Sequence, residues 1–265
     1  MKKINFTKMV ASGNDFIVIE GVKSGIKNYK FLAKEMCDRK FGVGADGLLV
    51  LDKSRRADVR MRIFNADGSQ AEMCGNGARC SALYSMLHLT KKHNLKLETK
   101  AGIIETDVKV DNVRIKLTQS KDLALDLPIV VNGRELAVNF INTGVPHAVI
   151  FVQGLENINV FGLGRAIRKH KEFSPRGTNV NFIEVLNDNS LGIRTYERGV
   201  EDETLACGTG STASALIFAL KSGAQNKVNV HTKSGEILKV YFKHDLSDVW
   251  LEGRGKIVYK GEYNV

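Results

Sequence analysis

The chain states one pattern twice. Cys74-Gly75-Asn76-Gly77-Ala78-Arg79-Cys80-Ser81-Ala82-Leu83 returns as Cys207-Gly208-Thr209-Gly210-Ser211-Thr212-Ala213-Ser214-Ala215-Leu216, with the Cys-Gly-x-Gly and Ser-Ala-Leu steps at identical internal spacing. The separation, 207 − 74 = 133, is about half of the 265 residues. Other stretches pair at offsets between 131 and 133. Gly13-Asn14-Asp15-Phe16-Ile17-Val18 matches Gly144-Val145-Pro146-His147-Ala148-Val149, and Gly44-Ala45-Asp46 matches Gly177-Thr178-Asn179. Arg62-Ile63-Phe64-Asn65 matches Arg194-Thr195-Tyr196-Glu197, and Thr99-Lys100-Ala101-Gly102 matches Thr232-Lys233-Ser234-Gly235. Short periods build solenoids, whereas one repeat of this length means two related domains.

Within each copy the pattern carries chemistry. Glycines 75 and 77 permit a tight turn, and from residue 78 to 87 Ala82, Leu83, Met86 and Leu87 recur at helical spacing. Cys74 therefore stands where a helix begins, and Cys207 likewise. Unpaired amides and the positive dipole end favour a thiolate there, and they also favour a bound carboxylate. Two inert cysteines left by duplication are the bland alternative, and a Cys-Gly-x-Gly turn is a poor way to build a core. Cys37 and Cys80 read as small core side chains, Cys80 lying too far into its helix for the dipole to act on it. With no CxxC pair and no Cys/His cluster at zinc spacing, neither a disulfide framework nor a metal site is expected.

Composition bounds the rest. A 43% hydrophobic chain of this length can bury a core in each of two lobes. The start, Met1-Lys2-Lys3-Ile4-Asn5-Phe6-Thr7-Lys8, is interrupted by polar residues before an apolar signal core could form, and no apolar run reaches membrane-spanning length. A cytoplasmic protein with no membrane partner is the expectation. The net charge of +10 comes from scattered residues with no aromatic-interleaved basic block, so nucleic acid is not expected as a partner, although anionic small molecules would be drawn in.

Along the chain, the first half reads as strands over 4–9 and 16–19, a helix over 29–39, and strands over 48–51 and 60–64 before the Cys74 helix. Strands over 95–99, 103–110 and 113–117 follow it. Gly42-Val43-Gly44-Ala45-Asp46-Gly47 spells a dinucleotide fingerprint, but a helix precedes it and a strand follows, the reverse of the required order, so it reads as a glycine turn. The second half repeats this order, with a helix over 164–171 and strands over 180–185 and 192–196. Residues 211–220 hold no charge, so that helix should be enclosed by sheet. The fold class expected is α+β: two pseudo-symmetric lobes, 1–119 and 120–255, each a mixed sheet wrapped around a central apolar helix, with the tail of about 256–265 returning to the first. Two such lobes facing each other would bring both thiols to one ligand. One thiolate could then remove a proton from a stereocentre while the opposite thiol delivers another, and no cofactor is needed.

Asn65-Ala66-Asp67-Gly68-Ser69 ahead of Cys74-Gly75-Asn76-Gly77-Ala78-Arg79-Cys80, with Glu197-Arg198-Gly199 and Ala206-Cys207-Gly208-Thr209-Gly210, resembles the diaminopimelate epimerase family. Gly13-Asn14-Asp15-Phe16 and Pro146-His147 fit the same pattern, so the resemblance covers essentially the whole chain. It implies cofactor-independent interconversion of LL- and meso-diaminopimelate in lysine and peptidoglycan precursor biosynthesis, by a homodimer. Carried over by position, Cys74 and Cys207 are the catalytic pair, and His147 and Glu197 tune the thiols. Substrate contacts would come from Asn14, Asn65, Gly75, Asn76, Asn179, Glu197, Arg198, Gly208 and Thr209. The Arg198 fork suits a distal carboxylate.

Two positions depart from the family pattern: Val145 stands where members often have Asn before Pro-His, and Gly47 where some have Gln. Val145 keeps open a racemase of another amino acid using the same two cysteines. A thiol–disulfide oxidoreductase would also use facing thiols, and a non-catalytic binding protein would merely hold a basic amino acid or a nucleic acid. On residue type alone, His147 could equally be a satisfied turn histidine, and Asn14, Asn65 and Asn179 could be turn formers.

Overall fold

Residues 2–265 are described in a computed structural model, which forms two compact units. The first runs to Ile115 and resumes at Gly253–Val265; the second is Lys116–Glu252. In chain order the first unit begins with β1 (Lys3–Ala11), β2 (Asn14–Glu20), the single turn α1 (Gly21–Ser24), α2 (Tyr29–Cys37), β3 (Gly47–Asp52), β4 (Val59–Asn65) and β5 (Gln70–Ala71). Next come α3 (Gly75–Ser85), β6 (Asn94–Thr99), β7 (Gly102–Lys109) and β8 (Asn112–Lys116). The second unit holds β9 (Lys121–Val131), β10 (Arg134–Asn142), β11 (Pro146–Phe151), α4 (Val160–Arg168), β12 (Asn179–Asn187), β13 (Ser190–Glu197) and β14 (Asp202–Thr204). It continues with α5 (Gly208–Ser222), β15 (Lys227–His231), β16 (Ile237–Tyr241) and β17 (Trp250–Arg254), and β18 (Lys256–Asn264) closes the chain.

Strand pairing gives the two units one topology. The first is ordered β18-β1-β2-β3-β4-β6-β7-β8, and only β2–β3 and β4–β6 are parallel. The second is ordered β9-β10-β11-β12-β13-β15-β16-β17, parallel at β11–β12 and β13–β15. The last strand of the chain thus fills, in the first unit, the place that β9 fills in the second. Both edge strands escape a reading by alternation, because β18 and most of β9 are exposed or half-buried, and charges interrupt them at Lys121, Asp122 and Asp126 in β9 and at Lys256, Lys260 and Glu262 in β18.

Each sheet has a helix on both faces. On one face α2 packs on β3 and β4, burying Leu32, Ala33 and Met36 against Ile17, Ile19, Leu48, Val50 and Phe64. Asn28 caps that helix by accepting from the Phe31 amide at 3.1 Å, and the chain leaves it at Asp38 (φ −57°, ψ 125°), short of the 29–39 expected from spacing. In the second unit α4 takes this role, capped by Asn159, which accepts from Gly162 at 2.9 Å; the helix starts at Val160 and not at 164 because of that cap. On the opposite face α3 packs against β1, β2, β3, β4, β6 and β7, and α5 against β10, β11, β12, β13, β15 and β16. The uncharged stretch of α5 from Gly210 to Ala219 is buried throughout, as a helix enclosed by strands must be.

The repeated glycines do different work from the turn expected of them. Gly75 and Gly208 are already the first helical residues, with Cys74 and Cys207 as extended N-caps. What Gly77 supplies is close approach: a Cβ there would lie 3.1 Å from Leu49 Cδ2 and 3.4 Å from Ile63 Cδ1. The register also corrects one internal match. Leu48 pairs with Phe64 and Val180 with Tyr196, which equates Gly47, not Asp46, with Asn179. Gly44 and Gly177 both keep left-handed φ (77° and 68°), so the first unit has one more residue between that glycine and its strand.

Candidate active site

Each unit builds one helix start around one cysteine. In the first, Cys74 (φ −145°) accepts from the Gly77 amide with Sγ···N 3.5 Å, and the Gly75 and Asn76 amides belong to the unsatisfied first turn of α3. Asn76 is fixed from both ends: its Nδ2 donates to Asn14 Oδ1 at 2.6 Å, and its Oδ1 accepts from Arg79 at 2.8 Å. Arg79, fully buried, also donates to Ser12 Oγ. Asn14 in turn donates to Asp46 Oδ2 at 2.9 Å. Side chains from the β1–β2 turn and from α3 are thereby bound into one network at the cysteine.

Behind it lies a charged cluster. Asp15 meets Lys8 at 2.8 Å and Arg39 at 2.8 Å, and Arg39 also reaches Asp46 at 2.7 Å. Burial works against the Asp15 carboxylate, but hydrogen bonds from Arg39 and Lys8 with the Lys8 charge outweigh it and hold the group well below the usual carboxylate range. Asn65, the last residue of β4, donates to Ser69 Oγ at 2.9 Å across its own turn. Gly47 admits no side chain without movement, since a Cβ would sit 2.9 Å from the Phe64 carbonyl oxygen.

In the second unit Cys207 holds the N-cap position of α5 without a capping bond from its side chain to an amide, and its Sγ lies 3.5 Å from Thr209 Oγ1. Thr143 donates to the Thr209 carbonyl at 3.0 Å and so ties the β10–β11 turn to the helix start. Asn179 spends its amide on the backbone: Nδ2 donates to the Pro146 carbonyl at 3.0 Å and Oδ1 accepts from the Arg198 amide at 2.9 Å. That fixes where Arg198 leaves β13. Glu197, half-buried beside it, is pushed up by desolvation, with a Thr204 hydroxyl pulling the other way.

His147 is completely buried. Desolvation, with the nearby Arg198 charge, drives its imidazole down to about 3, so it is neutral at physiological pH. Its Nδ1 is 3.1 Å from Asn181 Nδ2, and its Nε2 has no hydrogen-bond partner. Asn181 went unnoticed in the sequence. Its signal was a second asparagine on alternate positions of an otherwise apolar strand, Asn179-Val180-Asn181-Phe182-Ile183, a pattern that puts a polar side chain where a sheet face should be buried.

Chemically, each unit offers a thiol at a helix N-terminus beside free first-turn amides, suited to a thiolate and to a carboxylate. No group of three or more His, Cys, Asp or Glu side chains able to hold a metal occurs among the described residues, and no helix among them is long and apolar enough to cross a membrane.

A family model described as diaminopimelate epimerase matches residues 6–121 and 139–262. The chain is 42% identical over 272 residues to a diaminopimelate epimerase of Aquifex aeolicus (strain VF5), covering 97% of each. It is 41% identical over 280 residues to one from Methanocella arvoryzae, covering 100% of this chain and 98% of the relative. Among solved structures, a PhzF-family phenazine biosynthesis protein of Bacillus anthracis superposes with a TM-score of 0.76 at 18% identity over 100% of both chains. A probable proline racemase from Agrobacterium radiobacter K84 does so with a TM-score of 0.70 at 16% identity, covering 99% and 92%. At such identities the likeness extends to the fold.

Proposed function

The chain belongs to the diaminopimelate epimerase family and is an isomerase, and from that premise we propose that Cys74 and Cys207 act together on one α-carbon, interconverting LL- and meso-diaminopimelate. One cysteine as thiolate takes the α-proton, leaving the electron pair on carbon and its carboxylate. The other, as thiol, gives its proton to the opposite face and becomes the thiolate for the reverse direction. Net, a proton leaves one face and another joins the opposite face, so no oxidant or cofactor enters. First-turn amides of Gly75, Asn76, Gly208 and Thr209 would hold the carboxylate charge as it grows. Asn14, Asn65, Asn179, Glu197 and Arg198 would contact the substrate, with Arg198 on the distal carboxylate, and His147 and Glu197 would set the thiol environment. A cytoplasmic homodimer taking a small amino acid substrate completes the reading.

The observation that carries it is the pair of cysteines standing as N-caps at equivalent places of a duplicated unit. Core duplication would not need them both at the one position where a thiolate is favoured. Cys74→Ala and Cys207→Ala should each abolish inversion while leaving the circular dichroism spectrum native-like, with melting lowered only modestly by loss of the Cys74 bond to the Gly77 amide, about 1 kcal/mol, or of the buried Cys207 sulfur. Substantial inversion by either variant would refute the two-base scheme. Val145 supports a second reading, a racemase of another amino acid. Turnover measured in deuterium oxide across diaminopimelate, lysine, histidine and glutamate separates the two.

A further inference from the structure

The two units differ at three neighbouring positions in a way that duplication alone does not require. On the sheet face toward α3, the first unit carries Phe16, Leu49 and Ile63, all buried, with Leu49 and Ile63 directly paired across β3–β4. At the equivalent register on the face toward α5, the second unit carries His147, Asn181 and Thr195, with Asn181 and Thr195 directly paired across β12–β13. These three are also buried, at 0%, 0% and 3% exposure. An apolar trio has become a polar one in the same kind of site. Burying three polar side chains costs stability unless they are hydrogen-bonded, and here all but one of the polar atoms are.

The bonding fixes a protonation state. Asn181 Nδ2 is 3.0 Å from the Ala148 carbonyl oxygen, which can only accept, so that end of the amide is the NH2 group. Asn181 Oδ1 accepts from Thr195 Oγ1 at 3.0 Å. The second Nδ2 hydrogen therefore points to His147 Nδ1 at 3.1 Å, which must be the bare, accepting nitrogen. In the neutral ring the proton is then on Nε2, the one buried nitrogen of this group with no partner. A buried N–H donor without an acceptor is a place prepared for one.

We propose that Asn181, braced by Thr195, is a positioning residue that locks His147 as the neutral tautomer carrying its proton on Nε2, giving the Cys207-bearing unit a fixed hydrogen-bond donor for an anionic group where the other unit has Phe16. The lock follows from the geometry alone. Only the identity of the acceptor, a thiolate or a substrate carboxylate, rests on the two-thiol epimerase reading. Its consequence is that the sheet beneath α5 offers a polar donor where the sheet beneath α3 is apolar, although the two helices are copies.

The test is nitrogen-15 histidine labelling of the whole protein, read by long-range nitrogen–proton correlation near neutral pH, with His147 assigned by its disappearance in His147→Phe. A single neutral tautomer protonated at Nε2 is expected in the ligand-free protein. Asn181→Leu installs the residue that the first unit has at this place, under a glycine that leaves it room. It should turn His147 into a mixture of tautomers and lower kcat by about a hundredfold, with KM changed far less. A proton on Nδ1 or on both nitrogens of the wild-type ring overturns the proposal, and so does an Asn181→Leu protein that keeps both the single tautomer and the wild-type kcat. Failure of wild-type protein to exchange substrate α-hydrogen would remove the epimerase reading instead, and the tautomer spectrum would still stand.

Discussion

Gly77 and Gly210 occupy the same helix position in copies of one fold, so substituting alanine at each isolates what lies beneath. At Gly77 the new Cβ would meet Leu49 Cδ2 at 3.1 Å and Ile63 Cδ1 at 3.4 Å, two side-chain methyl groups that can give by a few tenths of an ångström. At Gly210 it would meet Asn181 Oδ1 at 2.4 Å, and real contacts essentially never fall below 3.0 Å, so the oxygen must retreat by at least 3.0 − 2.4 = 0.6 Å. That oxygen is held by Thr195 at 3.0 Å, and its amide by His147 and Ala148 at 3.1 and 3.0 Å. A retreat of that size takes the Thr195 bond out of hydrogen-bonding range. Overpacking costs about 2 kcal/mol and the lost buried bond about 1 kcal/mol more. Replacing glycine in a helix returns up to ~1 kcal/mol in both variants. The glycine gain cancels between the two variants, so Gly210→Ala should be destabilised by about 3 kcal/mol relative to Gly77→Ala, a difference of roughly 6–12 °C in Tm for a protein of this size. Calorimetry on the two variants side by side decides it. Melting temperatures within about 1 °C of each other would show that Asn181 is not pinned under α5 in the way described.

Acid stability should carry the mark of His147. Its folded form stays neutral down to about 3, whereas the unfolded chain takes up that proton near 6.5. Stability is therefore lost as pH falls through that window, by at most about 1.4 kcal/mol per pH unit, and His147→Phe should flatten the dependence measured by urea unfolding between about pH 7 and pH 4. Asp15, held low by Arg39 and Lys8, contributes stability above its unfolded value that is lost on acidification. Asp15→Asn leaves the nearly buried Lys8 ammonium without its carboxylate and should cost about 2 kcal/mol or more at neutral pH by denaturant titration. Burial pushes the Cys37 thiol up to about 12, so peptide mass spectrometry after iodoacetamide treatment of the native protein should find Cys37 unmodified. Its labelling at neutral pH would contradict the packing described for α2.

Much of this protein could be read from its residues because the signals are local. The Cys-Gly-x-Gly repeat announces a duplicated unit, and alternation with charge-free helical spacing announces a sheet around an apolar helix; both depend on neighbours a few residues apart. The helix-start positions of Cys74 and Cys207 and the glycine turn into β3 were legible for the same reason. What the sequence could not decide was where segments distant along the chain come to lie. That the exposed, charged tail runs as β18 antiparallel along β1, in the place that β9 takes along β10, is set by strand pairing and not by any local pattern. The glycines of α3 and α5 are there for what they touch and not for a turn, and Asn181 matters through a helix 29 residues further on, at Gly210 (210 − 181 = 29). Close approach and register are set by packing between elements, and a one-dimensional pattern carries no distance across a sheet.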